Sequence, residues 1–393
     1  MHELEVSRPD QTRQPVAARK TIPIALVEEG QRMMSICNAC RYCEGYCAVF
    51  PALERRLSFA ESDLNYLANL CHNCGACYTA CQYSPPHEFN LNLPRLLAEI
   101  RVETYEKYSW PSRFGALFRR NGLYVALGST VAIALALLLA IMLVAPGQLL
   151  RAHPVAEGSF YALVPHNVMA SIFGGAGVLI LVAMLAGFAS FWDDMQESFA
   201  DLGRPFALRE AFSSAAQLRY LDGGGEGCPA PGDQPSFARR NFHHLTAYGF
   251  LLCFAATSVA TIYHYVFGWE APYDLLSLPV ILGTLGGIGL LIGPAGLLFL
   301  KRRRNPAMTD PKQTGMDYAF LVLLFAAGVS GLLLLALREN AIMGPLLALH
   351  LGIVMGLFIS LPYGKFVHGI YRFGALVRYA LERRRPGLAL PSE

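Results

Sequence analysis

The chain has 393 residues, of which 54% are hydrophobic and 16% charged. Soluble domains carry about 25% charged residues, so this balance excludes an ordinary soluble enzyme, a disordered chain and a disulfide-stapled secreted scaffold. The net charge of +3 is too small to point to nucleic acid.

Residues 1–29 read as a flexible N-terminal tail. Arg8, Arg13, Arg19 and Lys20 stand in its first 23 residues. No apolar run of about 7–15 residues follows, as a cleavable signal requires. The region after it is therefore expected in the cytoplasm, where thiols stay reduced and clustered cysteines act as metal ligands.

Residues 30–110 form the predicted cysteine domain, and eight of the ten cysteines lie in it. The first run is Cys37, Cys40, Cys43, Cys47, and the second is Cys71, Cys74, Cys77, Cys81. Between them, Leu53, Leu57, Leu64, Leu67 and Leu70 predict one helix over 52–70, with Asp63 near its middle. Both runs have the spacing of bacterial ferredoxins that bind [4Fe–4S] clusters. Three close thiolates wrap three irons of a cubane, and a fourth comes from elsewhere. In two-cluster ferredoxins the fourth cysteine of each run serves the other cluster. The expectation is Cys37, Cys40, Cys43 and Cys81 on one cluster, and Cys71, Cys74, Cys77 and Cys47 on the second. The usual proline after the fourth cysteine is replaced by Ala48 and Gln82. Zinc is the plain alternative, but zinc sites present cysteines in pairs. A [3Fe–4S] centre is disfavoured because no ligand is missing. Cys228 reads as a loop thiol and Cys253 as a small residue inside an apolar span. His72 and His87 read as groups beside the clusters or on the surface. No glycine-rich dinucleotide fingerprint is visible.

A basic linker over 111–121 leads into a membrane domain over 122–370, followed by a C-terminal tail over 371–393. Six apolar segments are predicted near 122–145, 167–191, 245–267, 277–300, 317–337 and 345–367. Each has about 20 residues, enough to cross about 30 Å of hydrocarbon. Buried soluble helices are a poor alternative for six runs of this length. The predicted fold is an all-α membrane protein: a six-helix transmembrane bundle carrying an N-terminal, two-cluster, ferredoxin-like α-helical iron–sulfur domain. Basic residues crowd one side. The loop 192–244 has Arg204, Arg209, Arg219, Arg239 and Arg240; the loop 301–316 has Lys301, Arg302, Arg303, Arg304 and Lys312; the tail has Arg372, Arg378, Arg383, Arg384 and Arg385. The opposite loops offer Arg151 and Arg338 beside Glu157, Glu270, Asp274 and Glu339. By the positive-inside rule both termini and the iron–sulfur domain face the cytoplasm of a bacterial inner membrane. The loop 192–244, with Asp193, Asp194, Glu197, Asp201 and the run Gly223–Gly225, could cap the membrane domain, dock the cysteine domain or serve as a linker.

Five histidines stand where haem ligands are expected: His243, His244, His264, His350 and His368. Ionisable residues in spans are rare and often functional. By their spacing of five full helical turns, His350 and His368 share a face, about 27 Å apart. Facing favours His243 and depth favours His244 as the inner partner. An inner haem b is expected between His243 or His244 and His368, and an outer haem b between His264 and His350, with His166 as a substitute outer ligand. The count of haems stays at one or two. The alternative is interfacial histidines bonded to backbone or lipid. Arg372 and the Lys301–Arg304 run suit propionates or lipid phosphates.

The segments CNACRYCEGYCAVFPALERR (37–56), YLANLCHNCGACYTACQYSPPHEFN (66–90), RRNFHHLTAYGFLLCFAATS (239–258) and LPYGKFVHGIYR (361–372) resemble the tricarballylate/citrate utilisation protein B family. The likeness runs from about residue 30 to 380. That family is similar to the membrane part of a flavin–haem–iron–sulfur fusion in cobalamin biosynthesis. The resemblance implies a membrane electron-transfer subunit. It would reoxidise the FAD of a soluble dehydrogenase that converts tricarballylate to cis-aconitate, and pass electrons to the quinone pool. Substrate oxidation would then belong to the partner. Two rival readings are a quinol-oxidising subunit that delivers electrons inward to a reductase, and a redox-sensing membrane anchor.

Overall fold

A computed structural model describes residues 20–144, 147–152, 158–229 and 234–385. The expectations for the tail before Lys20, for Glu157 and for the residues after Arg385 lie outside the described residues. The described chain is helical, apart from a hairpin of two two-residue strands, β1 (Cys228–Pro229) and β2 (Pro235–Ser236).

The head begins with α1 (Ile24–Cys40), α2 (Val49–Leu53), α3 (Glu61–Leu70), α4 (Ala76–Thr79) and α5 (Leu93–Tyr108). The single helix expected over 52–70 is thus two helices with a turn between them. Asp63 explains the division: its carboxylate accepts from the Ala60 N–H and so caps α3. It also takes Arg56 in an ion pair at 2.7 Å. Leu57, which seemed to continue the apolar stripe, is 75% exposed.

Six helices are long and apolar enough to cross a membrane. They are α6 (Asn121–Leu143), α7 (His166–Asp194), α9 (Ala238–Ile262), α10 (Leu278–Arg302), α11 (Pro311–Ala336) and α12 (Met343–Ser360). Leu123, Leu127, Val131 and Leu135 of α6, and Leu179 and Leu185 of α7, point outward. That pattern suits lipid, where an apolar surface needs no cover. Helices α9 and α10 approach closely. A Cβ on Gly249 would lie 3.0 Å from the Gly286 carbonyl oxygen, and one on Gly286 would lie 2.7 Å from the Cys253 sulfur. Small residues let the two backbones approach where no hydrophobic force drives them together.

Two helices lie outside the bundle: α8 (Pro205–Ala216), in the loop between α7 and α9, and α13 (Val367–Glu382). The last span ends at Ser360, short of the expected 367. Pro362 has no N–H to give and Gly364 folds back on the Ser360 carbonyl, so the helix stops and restarts. His350 and His368 therefore stand on different helices, and the shared face expected from their spacing does not exist.

The main core crosses from head to bundle. Tyr66 and Leu67 of α3 and Leu97 and Ile100 of α5 pack with Phe191 and Trp192 of α7 and Tyr371, Leu376 and Ala380 of α13. Polar ties fix the same seam. Asn65 and Lys107 reach Asp194 at 2.8 and 2.9 Å, and Tyr66 donates to Glu382 at 3.0 Å. Arg56 pairs with Glu382, which also takes Arg378 at 3.1 Å. The loop after α7 docks on the head: Gly224 sits against Tyr46, and Arg383 reaches Glu210 of α8 at 2.5 Å.

Candidate functional site

The two cysteine runs interleave. Burial, and then the neighbouring Cys81, Cys43 and Cys40, push the Cys37 thiol up to about 12. Cys43 is likewise pushed up to about 12 by burial and then by Cys81 and Cys40. Burial raises Cys47 well above its ordinary value, and its thiol neighbours are Cys74 and Cys71. Cys77 is raised by burial, with Cys74, Cys71 and Cys47 beside it. Each run's fourth cysteine thus lies with the other run's first three. Among the described residues, no three His, Cys, Asp or Glu side chains converge tightly enough to hold a single metal ion. Zinc needs its thiolates within about 2.3 Å of one point, whereas a cubane spreads four thiolates over its corners. The donor set fits two cubanes.

The second ligand loop turns through left-handed backbone at Asn73 (φ 51°) and Gly75 (φ 96°). Asn73 donates its N–H to the Cys71 sulfur at 3.2 Å. The Cys74 thiol is drawn down to about 6, first by a hydrogen bond with Cys228 and, against burial, by the Ala76 N–H, Arg239 and Arg304. Cys228, read from sequence as a loop thiol, is 2% exposed and packs against Cys74.

Four arginines from four places in the chain meet the carbonyls of this loop. Arg101 of α5 and Arg372 of α13 each donate to the Cys71 carbonyl at 2.8 Å. Arg239 of α9 donates to the Asn73 carbonyl at 2.6 Å and the His72 carbonyl at 3.4 Å. Arg304, just past α10, donates to the Asn73 carbonyl and side-chain oxygen, both at 2.8 Å. Burial, and then Arg239, lower Arg304 to about 10; burial, and then Arg101, lower Arg372 to about 10.

Below the loop lies a cavity of about 820 Å³ between α9, α10, α11 and α13. His243 and His368 face each other in it, with ring centroids 6.2 Å apart and planes at 75°. The His368 Nδ1 bonds to the Lys365 carbonyl at 2.5 Å, which leaves Nε2 as the free electron pair. Burial, and then Arg372, push the His368 pKa well below its ordinary value, so the ring is neutral as a metal ligand must be. The buried His243 Nδ1 and Arg372 Nε have no hydrogen-bond partner. Two facing imidazoles, unpartnered buried nitrogens and a basic rim are a donor set that a bis-histidine haem would fit. His244 turns away, its Nε2 at 3.2 Å from the Ala216 carbonyl and its ring on Tyr248. Of the two candidates, His243 is the one the structure brings to His368. Asp317 in the same cavity is held by Lys301 at 2.6 Å and Lys365 at 2.7 Å.

The far end of the bundle corrects the expected outer pair. His264 stacks on His166 of α7, with centroids 3.7 Å apart and planes at 22°, between Tyr161 and Tyr265. His350 instead bonds through Nδ1 to the Ser330 hydroxyl at 2.8 Å. His264 lies in a π-helical turn over Tyr263–Phe267. The His264 Nδ1 is buried without a partner.

Sequence reasoning missed the arginine cluster as a unit. Arg239 and Arg304 sit in runs that also read as topology signals, and Arg101 looks like a polar helix residue although it is 1% exposed.

A sequence model described as Citrate utilization protein B matches residues 117–389, and one described as the Citrate utilization protein B Fer4-like domain matches residues 30–107. The chain is 52% identical over 359 residues to the Citrate utilization protein B of Escherichia coli, covering 91% of this chain and 93% of that protein. No solved structure matches the chain.

Proposed function

The chain belongs to the citrate utilization protein B family, and from that premise we propose that it is the membrane electron-transfer subunit of a citrate- or tricarballylate-utilising system. Its partner is a soluble FAD-dependent dehydrogenase on the cytoplasmic side of a bacterial inner membrane, and its acceptor is the quinone pool. When bound, two [4Fe–4S] clusters and b-type haem supply one-electron carriers between the reduced flavin and quinone. Cys37, Cys40, Cys43 and Cys81 hold the first cluster, and Cys71, Cys74, Cys77 and Cys47 the second. His243 and His368 hold the haem at the head end, with His166 and His264 as ligands for a second at the far end. Arg239, Arg304 and Arg372 take the propionates' charge and shield the ligand loop from water.

The observation that carries this reading is continuity. His72 and Asn73 line both the pocket around Cys47, Cys71, Cys74 and Cys77 and the cavity of His243 and His368. A carrier in each would be separated by one layer of backbone. An anaerobic absorption and EPR spectrum with iron, sulfide and haem counts tests it. The expected result is about eight non-haem irons per chain with low-spin haem. Protein carrying clusters but no Soret band removes the haem from the proposal. Protein carrying neither leaves it without support.

A further inference from the structure

We infer that Arg101, Arg239, Arg304 and Arg372 set the centre held by the second cysteine group at a higher reduction potential than the first, and so order electron passage toward the membrane. The inference rests on the reading that both groups hold clusters. The two ligand loops carry the same spacing but opposite surroundings. All four guanidinium groups donate to carbonyls of residues 71–74. The carboxylate lining the adjoining cavity, Asp317, is already taken by Lys301 and Lys365. Around the first group, Arg41 is exposed and bonds to the Asn38 carbonyl, while Glu44 and Glu54 lie beside each other.

Each added electron makes a cluster more negative, and nearby buried cations favour the more negative form. In a low-dielectric setting that preference is strong. Adding the electron to the second centre therefore gains what the first centre lacks. One electron leaves the first centre, which is oxidised, and enters the second, which is reduced. No bond is made or broken and no proton moves. The electrons come from the partner's reduced flavin, two per flavin, passed singly. A purely mechanical role, clamping the loop to the bundle, would hold the loop in place without separating the potentials.

The test is an EPR-monitored redox titration of the full-length protein, with Cys40→Ser labelling the signal of the first centre. The expected wild-type result is that the second centre is reduced at the higher potential. Arg304→Gln and Arg372→Gln should each lower that potential while leaving the first centre's in place, by about 59 mV for a tenfold change in a one-electron equilibrium. Arg304→Lys, which keeps the charge and loses the paired contacts, should keep most of it. Equal or inverted wild-type potentials overturn the inference, whatever the variants do. Glutamine variants with full iron content and unmoved potentials also overturn it. Protein that binds no clusters overturns the proposed function itself, which separates the two failures.

Discussion

The two ends of the membrane bundle hold histidine pairs in different ways. At the head end, His243 and His368 stand across a cavity of about 820 Å³, and the elements around it are pinned by arginine–carbonyl bonds and by the core shared with the head. At the far end, His166 and His264 lie ring on ring among tyrosines, close to exposed apolar side chains such as Tyr265 and Val266. A space of cofactor size stays open where its walls are fixed by contacts outside it. The head end is thus preorganised, and the far end must part before anything enters between its rings.

Removing the head's own ligands has the largest expected effect. Cys77→Ala should abolish the second cluster and roughly halve the non-haem iron, read by iron and sulfide analysis. Next in size is the haem. His368→Ala should eliminate the head-end low-spin signal, whereas His350→Ala should leave every haem signal in place. His166→Ala and His264→Ala should resemble each other in absorption and EPR spectra. A His350→Ala protein that lost a haem while His166→Ala kept it would restore the pairing expected from sequence spacing.

The pinning itself can be loosened. Glu382 is buried and shared by Arg56, Arg378 and Tyr66. Glu382→Ala removes one carboxylate from Arg56 and Arg378, which keep Asp63 and Glu197, so unfolding of the head in detergent should be easier by about 1.5–3 kcal/mol. Gly286→Leu attacks the bundle alone, since its side chain would drive into Cys253 and the Gly249 carbonyl. A cost of about 1–3 kcal/mol is expected, with haem lost at a lower temperature and iron retained.

The smallest effect is one of pH. Glu103 lies below the usual carboxylate value: burial pushes it up, but Lys20 and Lys312 outweigh that and bring it down. A lowered carboxylate contributes stability that is present above its unfolded value and lost as pH falls through its folded value. Wild type should therefore exceed Glu103→Gln in Tm at neutral pH by under about 1 kcal/mol of stability. The two should converge as the pH drops below the ordinary carboxylate value of 4.5.

Much of the fold was open to reading because its signals are local. Apolar runs and the spacing of Cys37–Cys47 and Cys71–Cys81 declare themselves within a few turns of chain. What escaped depends on departures from regular winding or on distant residues. The stop at Ser360 hides in an apolar stretch, and the π-helical turn at Tyr263–Phe267 leaves no mark on hydropathy. Asp63 looked like the middle of a helix because its partner is a backbone N–H three residues back. Arg101, Arg239, Arg304 and Arg372 are spread over some 270 residues and become one feature only when four elements converge.

The placement of α13 bears on the order of biosynthesis. This helix follows all six membrane spans in the chain, yet Tyr371, Leu376 and Ala380 complete the core that encloses α3 and α5. Arg372 also supplies one of the bonds that hold the Cys71 carbonyl. The two cysteine runs leave the ribosome early, but the packing of α13 on the head waits until the whole bundle has been made. On the proposed function, that order leaves iron and sulfide an open period for insertion at the Cys71 loop during membrane integration. A nascent chain stalled before α13 would present the Cys71 loop without the Arg372 bond and without Tyr371, Leu376 and Ala380 against α3 and α5.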